Sequence, residues 1–137
     1  MGNFRARQTM KKLLPIIATI FTTMVFAQVK QKHKPTEFLP RGFAVVDKIL
    51  GDLNKDGFAD CVLFVKAAAK NQIKKDEFRG QLDLNRRGII VLFNKNGYYE
   101  LAVKNYDCFA SESEYGGGYF PPELSFDIKN GNLYVHY

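Results

Sequence analysis

The chain has 137 residues, of which 46% are hydrophobic and 25% are charged, which favours one small globular domain over a disordered tail or a multidomain enzyme. Its formal charge of +6 is concentrated at the N-terminus, where Arg5, Arg7, Lys11 and Lys12 stand without any acidic residue before position 28. Of the 20 basic residues, these four leave 16 against 14 acidic ones. The basic charge therefore belongs mostly to the N-terminal segment, and it does not indicate a nucleic-acid-binding domain.

Residues 1–27 are typical of a signal peptide. The four cations precede an apolar run from Leu13 to Ala27, and Val25-Phe26-Ala27 resembles the small-x-small pattern that signal peptidase recognises. The run is 15 residues long, shorter than the roughly 20 residues that cross a bilayer as a helix. We therefore predict cleavage after Ala27 and a secreted or periplasmic protein, with an uncleaved anchor as the alternative.

The remaining chain predicts an all-β domain over residues 43–137. Residues 28–42 are interpreted as an exposed linker because Pro35 and Pro40 lie in a polar, basic stretch. From Phe43 onward, β-branched and aromatic residues form short runs bounded by Gly, Asn, Asp and Pro, as in antiparallel hairpins. The six predicted strands are Phe43 to Leu50, Asp60 to Lys66, Gly88 to Phe93, Tyr98 to Lys104, Glu123 to Lys129 and Asn132 to Tyr137.

Two Asn-Gly pairs predict tight hairpins, because both turn residues of a type I′ turn need positive φ. Asn96-Gly97 follows the third predicted strand, and Asn130-Gly131 follows the fifth. Each turn sets a register that places apolar residues opposite apolar residues. The expected pairs are Leu92 with Leu101, Ile90 with Val103, Ile128 with Leu133, Phe126 with Val135, and Leu124 with Tyr137.

Two segments are apolar on both faces, Cys61 to Val65 and Ile89 to Phe93, which predicts central strands covered on both sides. The long interruption between Lys66 and Arg87 begins with three alanines and continues with charged residues. For it we expect a short helix followed by a long polar loop. Its cations are interpreted as a solvated surface, with an anionic-glycan or nucleic-acid surface as the alternative.

Cys61 and Cys108 are the two cysteines of the chain. Export into an oxidising compartment would allow them to form a disulfide. Each also lies in or beside a strand-like run, and free cysteines are often simply buried. The sequence leaves both states open.

The strongest motif is the spacing D-x-N-x-D-G-x-x-D between positions 52 and 60. Calcium prefers six to eight oxygen ligands, and side chains at alternate positions of a tightly wound loop can converge on one point. Gly57 permits the sharp bend that such a loop needs. The predicted calcium ligands are Asp52, Asn54, Asp56, the main-chain carbonyl of Phe58, and Asp60.

The motif is not an EF-hand, since Leu63 stands where the bidentate glutamate would be and the flanking segments read as strands. A simpler interpretation is a polar turn in which the Asp and Asn side chains accept hydrogen bonds from nearby backbone amides, without a metal. Of the two, we favour a calcium-clamped β-hairpin.

Gly51 to Asp60, followed by an apolar strand, resembles the G-D-x-N-x-D-G-x-x-D loop of FG-GAP and VCBS-type repeats. These are the calcium-binding hairpins of integrin-α-like β-propellers. The resemblance covers Val46 to Val65 and implies calcium bound between two strands of a blade in an extracellular adhesion or ligand-binding module. Gly88 to Phe93 and Tyr115 to Leu124 are similar to segments of small secreted bacterial proteins with one such loop. A closed propeller needs at least four blades, so we expect a meander resembling partial β-propeller blades.

The function expected from the sequence is that of an exported calcium-binding module with calcium in a structural role. Its partner would be a protein or a carbohydrate, with neither nucleic acid nor, after cleavage of the leader, a membrane, and self-association stays open. An enzyme is not expected, because His33 and His136 are the only histidines available as bases. The alternatives are a secreted hydrolase or enzyme subunit using the acids Glu112, Glu114 and Glu123, and a truncated fragment of a larger β-propeller-like protein.

Overall fold

The structure, a computed structural model, describes residues 31–113 and 123–136. Within these ranges every strand pairing is antiparallel, and the all-β prediction is confirmed. The helical segments there are two 3₁₀ turns, Pro35–Phe38 and Lys70–Gln72, and neither has the length or apolarity of a membrane crossing. The strands are β1 (Phe43–Gly51), β2 (Asp60–Ala67), β3 (Ile73–Asp76), β4 (Gly80–Asp83), β5 (Arg87–Asn94), β6 (Tyr99–Phe109), β7 (Ser125–Lys129) and β8 (Asn132–His136).

The main sheet has the strand order β1-β2-β5-β6, so the two strands predicted to be central are central. Residues that pair directly across β2 and β5 point to the same face, because strand partners share a side of the sheet. Cys61 pairs with Leu92 and Leu63 pairs with Ile90, and all four are fully buried. Together with Val65, they form the core on this face.

The opposite face of the main sheet carries an aromatic cluster. Phe64 of β2 lies 4.7 Å from Phe126 of β7 and 5.8 Å from Phe109 of β6, measured between ring centroids. Gly51 lies against Ile128, since a Cβ built on this glycine would be 2.6 Å from the nearest carbon of the isoleucine. The β7–β8 hairpin therefore covers this face, and both sides of the central strands are buried as expected.

The turn between β7 and β8 follows the sequence prediction. Asn130 and Gly131 have φ angles of 53° and 79°, the positive values that a type I′ turn requires. The resulting register places apolar residues opposite each other. The confirmed pairs are Ile128 with Leu133 and Phe126 with Val135; Tyr137, the expected partner of Leu124, lies outside the described residues.

The register between β5 and β6 was predicted correctly only near the turn. Asn96 and Gly97 adopt positive φ, and Leu92 faces Leu101. The register then shifts by one residue, so Ile90 faces Lys104 and not Val103. Such a bulge inserts one extra residue in one strand, which the period-two pattern does not reveal.

The segment between β2 and β5 differs from its prediction. The expected short helix is the single 3₁₀ turn Lys70–Gln72, and the expected polar loop contains β3 and β4. These strands form a two-stranded sheet of their own. Asp76 stabilises the turn between them, because its carboxylate accepts hydrogen bonds from the backbone N–H groups of Phe78 and Arg79.

The described part of the predicted linker is attached to the main sheet. Lys32 forms a β-bridge with Tyr99, and both of its backbone hydrogen bonds go to that residue. Phe38 and Leu39 are partly buried against the core cluster that contains Cys61. Most other side chains of residues 31–42 are exposed and none of the segment is fully buried, so the segment is attached to the sheet while most of its surface stays exposed. The predicted signal peptide, residues 1–27, lies outside the described residues.

Both cysteines are free thiols in the structure. Cys61 is fully buried, and burial raises its pKa to about 11. Cys108 is exposed on β6, although partial desolvation raises its pKa as well. Of the two states that the sequence leaves open, the structure has the unpaired one, with a single thiol buried instead of two.

This arrangement predicts an unequal reaction of the two thiols with Ellman's reagent. In the native protein we expect one fast-reacting thiol, removed by Cys108→Ser, because the reagent cannot reach Cys61. Unfolding in guanidinium without reductant should expose the second. If neither thiol reacts until a reductant is added, the cysteines are paired and this description of the core is wrong.

Candidate metal centre

The loop between β1 and β2, residues 52–59, is wound around the backbone amide of Asp56. This N–H donates to the side-chain oxygens of both Asp52, at 3.2 Å, and Asn54, at 3.0 Å. The second carboxylate oxygen of Asp52 accepts from Gly57 N–H at 2.9 Å. Two of the predicted ligands therefore direct oxygen atoms towards the same point of the loop.

The third side chain of the motif joins the same cluster. Asp56 accepts a hydrogen bond from the Asn54 amide at 2.9 Å and another from Phe58 N–H at 3.0 Å. Positive φ angles at Lys55 (62°) and Gly57 (89°) produce the tight winding. The structure thus brings Asp52, Asn54 and Asp56 together, as the spacing predicts.

Asp60, the last residue of the motif, has a separate set of partners. It is fully buried at the start of β2. Its Oδ2 accepts the backbone N–H groups of Leu53, at 2.8 Å, and Asn54, at 3.3 Å. Its Oδ1 accepts Asn94 N–H from the end of β5, at 2.8 Å. This carboxylate therefore fastens the loop to the neighbouring hairpin.

A cation of the protein already lies beside the cluster. Lys95, in the turn between β5 and β6, places its ammonium 3.1 Å from the Asp56 carboxylate. The hydrogen bond from Phe58 N–H and the ion pair with Lys95 hold the pKa of Asp56 below its usual value of 3.8. Reciprocally, the bond to Asp56 raises the pKa of Lys95 above 10.5. At neutral pH both groups are charged. A metal ion bound to Asp56 would therefore compete with Lys95 for the same carboxylate.

The oxygen donors of the loop fit calcium by their chemistry, but they are engaged with the loop itself. Across residues 31–113 and 123–136, no three His, Cys, Asp or Glu side chains converge into a metal-binding group. The carboxylates of the motif bind backbone N–H groups, in the manner of linked Asx turns. The ligands of an ion would be the side chains of Asp52, Asn54, Asp56 and Asp60 and the carbonyl of Phe58. To coordinate it, the carboxylates would have to give up some of their hydrogen bonds to backbone N–H groups.

The loop also contacts the turn between β7 and β8, which the sequence analysis did not associate with it. A Cβ built on Gly131 would lie 2.6 Å from the Lys55 side chain and 3.3 Å from the Leu53 carbonyl oxygen. A cleft of about 410 Å³ lies between the loop and this turn. Its lining residues are Asp52, Lys55, Ile128, Asn130 and Gly131.

Of the three acids of the alternative hydrolase, the structure describes Glu112 and Glu123. Glu112 accepts a hydrogen bond from Lys66 at 3.1 Å, and the same lysine binds Asp83 at 3.0 Å. Glu123 is exposed, and Glu114 lies outside the described residues.

The two histidines lie in different parts of the fold, His33 in the segment before β1 and His136 on β8. His33 contacts the carbonyl of Gly97 in the turn between β5 and β6, at 3.3 Å. His136 lies on β8, 3.9 Å from Asp127. The structure brings neither of them to the other candidate residues named above.

Comparisons of the chain with protein family models, with curated proteins and with solved structures gave no match. The interpretation of the 52–60 loop therefore depends on its own residues and contacts.

The contacts of Asp60 predict that its charge and both oxygens stabilise the fold. Asp60→Asn retains one acceptor oxygen but puts an NH₂ group against a buried N–H, which costs about 1–3 kcal/mol. Asp76→Asn is the control, because both of its N–H partners share one oxygen that the amide keeps, and we expect a loss below about 0.5 kcal/mol. Equilibrium urea unfolding in EDTA measures both, and equal losses would contradict this role of Asp60.

Proposed function

We propose that the protein is an exported calcium-binding β-domain that acts as a binding or adhesion module, with calcium in a structural role. The observation that carries the proposal is the convergence of the Asp52 and Asn54 oxygens on the Asp56 amide, with the Asp56 carboxylate bonded to Asn54. Three oxygen-bearing side chains of a calcium-like motif thus lie within one turn of backbone. The resemblance to FG-GAP and VCBS-type loops supports the same assignment.

The residues that would hold the ion are Asp52, Asn54, Asp56, the carbonyl of Phe58, and Asp60. Bound calcium would supply positive charge to carboxylates that otherwise repel each other. In exchange, the loop gives up hydrogen bonds to its own amides and the contact between Asp56 and Lys95. This competition is consistent with the weak affinity of extracellular modules, a Kd of roughly 10⁻⁴ to 10⁻³ M.

The position of the loop suggests how calcium could support a binding surface. The loop contacts both the β5–β6 turn, through Asp60 and Lys95, and the β7–β8 turn, through Gly131. An ion there would fix three turns at one end of the domain relative to each other. The cleft beside Lys55 and Asn130 would then be a preformed site for a protein or carbohydrate ligand.

We put no second function forward. Among the acids of the hydrolase alternative that the structure describes, Glu112 is paired with Lys66 and Glu123 is exposed.

The proposal predicts a calcium-dependent rise in thermal stability. When free Ca²⁺ exceeds Kd by about 10- to 100-fold, binding to the native state adds roughly 1.4 to 2.7 kcal/mol. For a domain of this size, that corresponds to roughly 5 to 10 °C in Tm. Thermal unfolding of the protein in EDTA, in Mg²⁺ and in Ca²⁺ measures the effect, and only Ca²⁺ should produce it.

Two variants show whether the 52–60 loop is responsible. Asp52→Ala removes a predicted ligand and should abolish the calcium shift. Asp76→Ala removes an aspartate of similar turn geometry outside the motif, and it should leave the shift unchanged. A parent protein whose Tm is indifferent to Ca²⁺, or an Asp52→Ala variant that binds Ca²⁺ like the parent in calorimetry, would refute the proposal.

Substitution of Lys95 provides a test in which the affinity for calcium should rise instead of fall. Lys95→Gln removes the ammonium that competes with calcium for Asp56, and we expect calcium to bind about two- to fivefold more tightly, the usual range for an exposed ion pair. Lys74→Gln, which changes the net charge equally on the β3–β4 hairpin, is the control. Calorimetric titration distinguishes them, and a weakened affinity in Lys95→Gln alone would place the ion elsewhere.

A further inference from the structure

The β3–β4 hairpin has an aromatic side chain at its tip that is almost fully exposed to solvent. Phe78, at the tip, is 95% exposed, more than any other large apolar side chain of the described residues. An isolated phenylalanine in water leaves a large apolar area unburied. Single exposed apolar residues are common, but the other exposed large apolar side chains of the described residues are 36–54% exposed. Phe78 differs from them in its almost complete exposure and in its place at the tip of a hairpin.

The backbone around Phe78 is fixed, so its exposure is built into the turn. Asp76 accepts the N–H groups of Phe78 and Arg79, each at 2.9 Å. The Arg79 guanidinium lies 3.6 Å from the same carboxylate. Gly80 completes the turn with a φ of +77°, a conformation that glycine adopts without strain. The turn holds the phenyl group away from the rest of the domain.

The base of the hairpin is attached firmly to the main sheet. Lys66 at the end of β2 binds both Asp83 and Glu112. Asn85 is buried and exchanges hydrogen bonds with both backbone groups of Ala69. The hairpin is therefore an arm with an anchored base and a free apolar tip.

Cations outnumber acids near the tip of this arm, with Lys70, Lys74, Lys75 and Arg79 against Asp76 and Glu77 over residues 70–79. Lys70, Lys74 and Lys75 form no ion pair with any residue of the described ranges, whereas the charge of Asp76 is balanced by Arg79. Glu77 is the remaining acid beside the tip. Lys74 and Lys75 are consecutive in β3, so they point to opposite faces of the hairpin. The two lysines thus lie on opposite faces of the hairpin, three and four residues before the phenyl group.

We propose that the β3–β4 hairpin docks on an anionic phospholipid surface, with Phe78 inserted at the boundary between headgroups and acyl chains. Strand residues rise about 3.3 Å each, so Lys75 lies within about 10 Å of the tip. Apolar groups at membrane interfaces are buried by about 5–10 Å. When Phe78 reaches the acyl boundary, Lys74 and Lys75 are therefore at the level of the lipid phosphates. This proposal departs from the sequence-based expectation that the folded domain has no membrane partner.

The shape of the arm favours a lipid surface over a macromolecular partner. A specific protein interface buries about 800 Å² on each side, and one protruding side chain offers much less. Nucleic acid recognition uses several aromatic side chains that stack on successive bases along a basic groove, and this tip has one. A bilayer needs no matching shape and accepts a convex apolar tip with lysines behind it.

The chain contains no tryptophan, so Phe78→Trp introduces a fluorescent reporter at the tip alone. Vesicles of phosphatidylcholine and phosphatidylglycerol in equal amounts should shift its emission to the blue, and brominated acyl chains should quench it. Tyr134→Trp, a reporter on β8, is the control and should show neither effect. Both variants contain the same residues 1–30, so any contribution of those residues to vesicle binding is common to both.

A tip reporter that shows no blue shift with anionic vesicles overturns the proposal, as does an equal response to vesicles of phosphatidylcholine alone. A response to duplex or single-stranded DNA without one to vesicles would assign the arm to nucleic acid instead.

The lysines are tested in the Phe78→Trp background. Each lysine at an anionic surface strengthens binding about fivefold, so Lys74→Gln with Lys75→Gln should raise the lipid concentration for half-maximal blue shift about 30-fold. Lys48→Gln with Lys104→Gln makes the same change in net charge on the outer strands of the main sheet and should have a much smaller effect. Equal effects of the two pairs would contradict docking through the hairpin.

Discussion

The buried carboxylate of Asp60 joins the two hairpins of the main sheet. It is the first residue of β2, and it binds backbone N–H groups of the preceding loop and of Asn94 in the neighbouring hairpin. A buried charge needs such donors, because desolvation without them is costly. The position of the loop, its approach to Lys95 and the entry into the core at Cys61 all depend on this residue. It therefore has a structural role in the fold whether or not a metal is bound.

The sequence predicts the fold well where side-chain alternation and turn chemistry agree. All six expected strands form, and both Asn-Gly turns have positive φ. It fails at the bulge between β5 and β6, because an extra residue leaves no trace in the apolar pattern. It also misses β3 and β4, whose residues are mostly polar. That hairpin depends on the Asp76 turn and on the ion pairs of Lys66, which join residues far apart in sequence.

For the candidate site, sequence spacing was sufficient to predict that Asp52, Asn54 and Asp56 share one loop. It could not predict Lys95 or Gly131, because these residues approach from other hairpins. Nor does spacing distinguish a calcium loop from linked Asx turns, since both require carboxylate and amide oxygens at alternate positions of a tight bend. The two differ in what the oxygens bind, and that depends on the competition between backbone amides, Lys95 and the ion.

The irregularities in β1 and β6 have a consequence for the free edges of the main sheet. These strands lie at its two edges, where N–H and C=O groups beyond the Lys32–Tyr99 bridge on β6 can recruit a strand from another molecule. The pairing of β1 is interrupted between Val45 and Asp47, and that of β6 is shifted beside Leu101. A bulge bends and twists an edge strand, so a straight partner can follow only part of it. With a further register shift where Arg87 pairs with Phe109, these irregularities work against open-ended polymerisation through strand addition at the two edges.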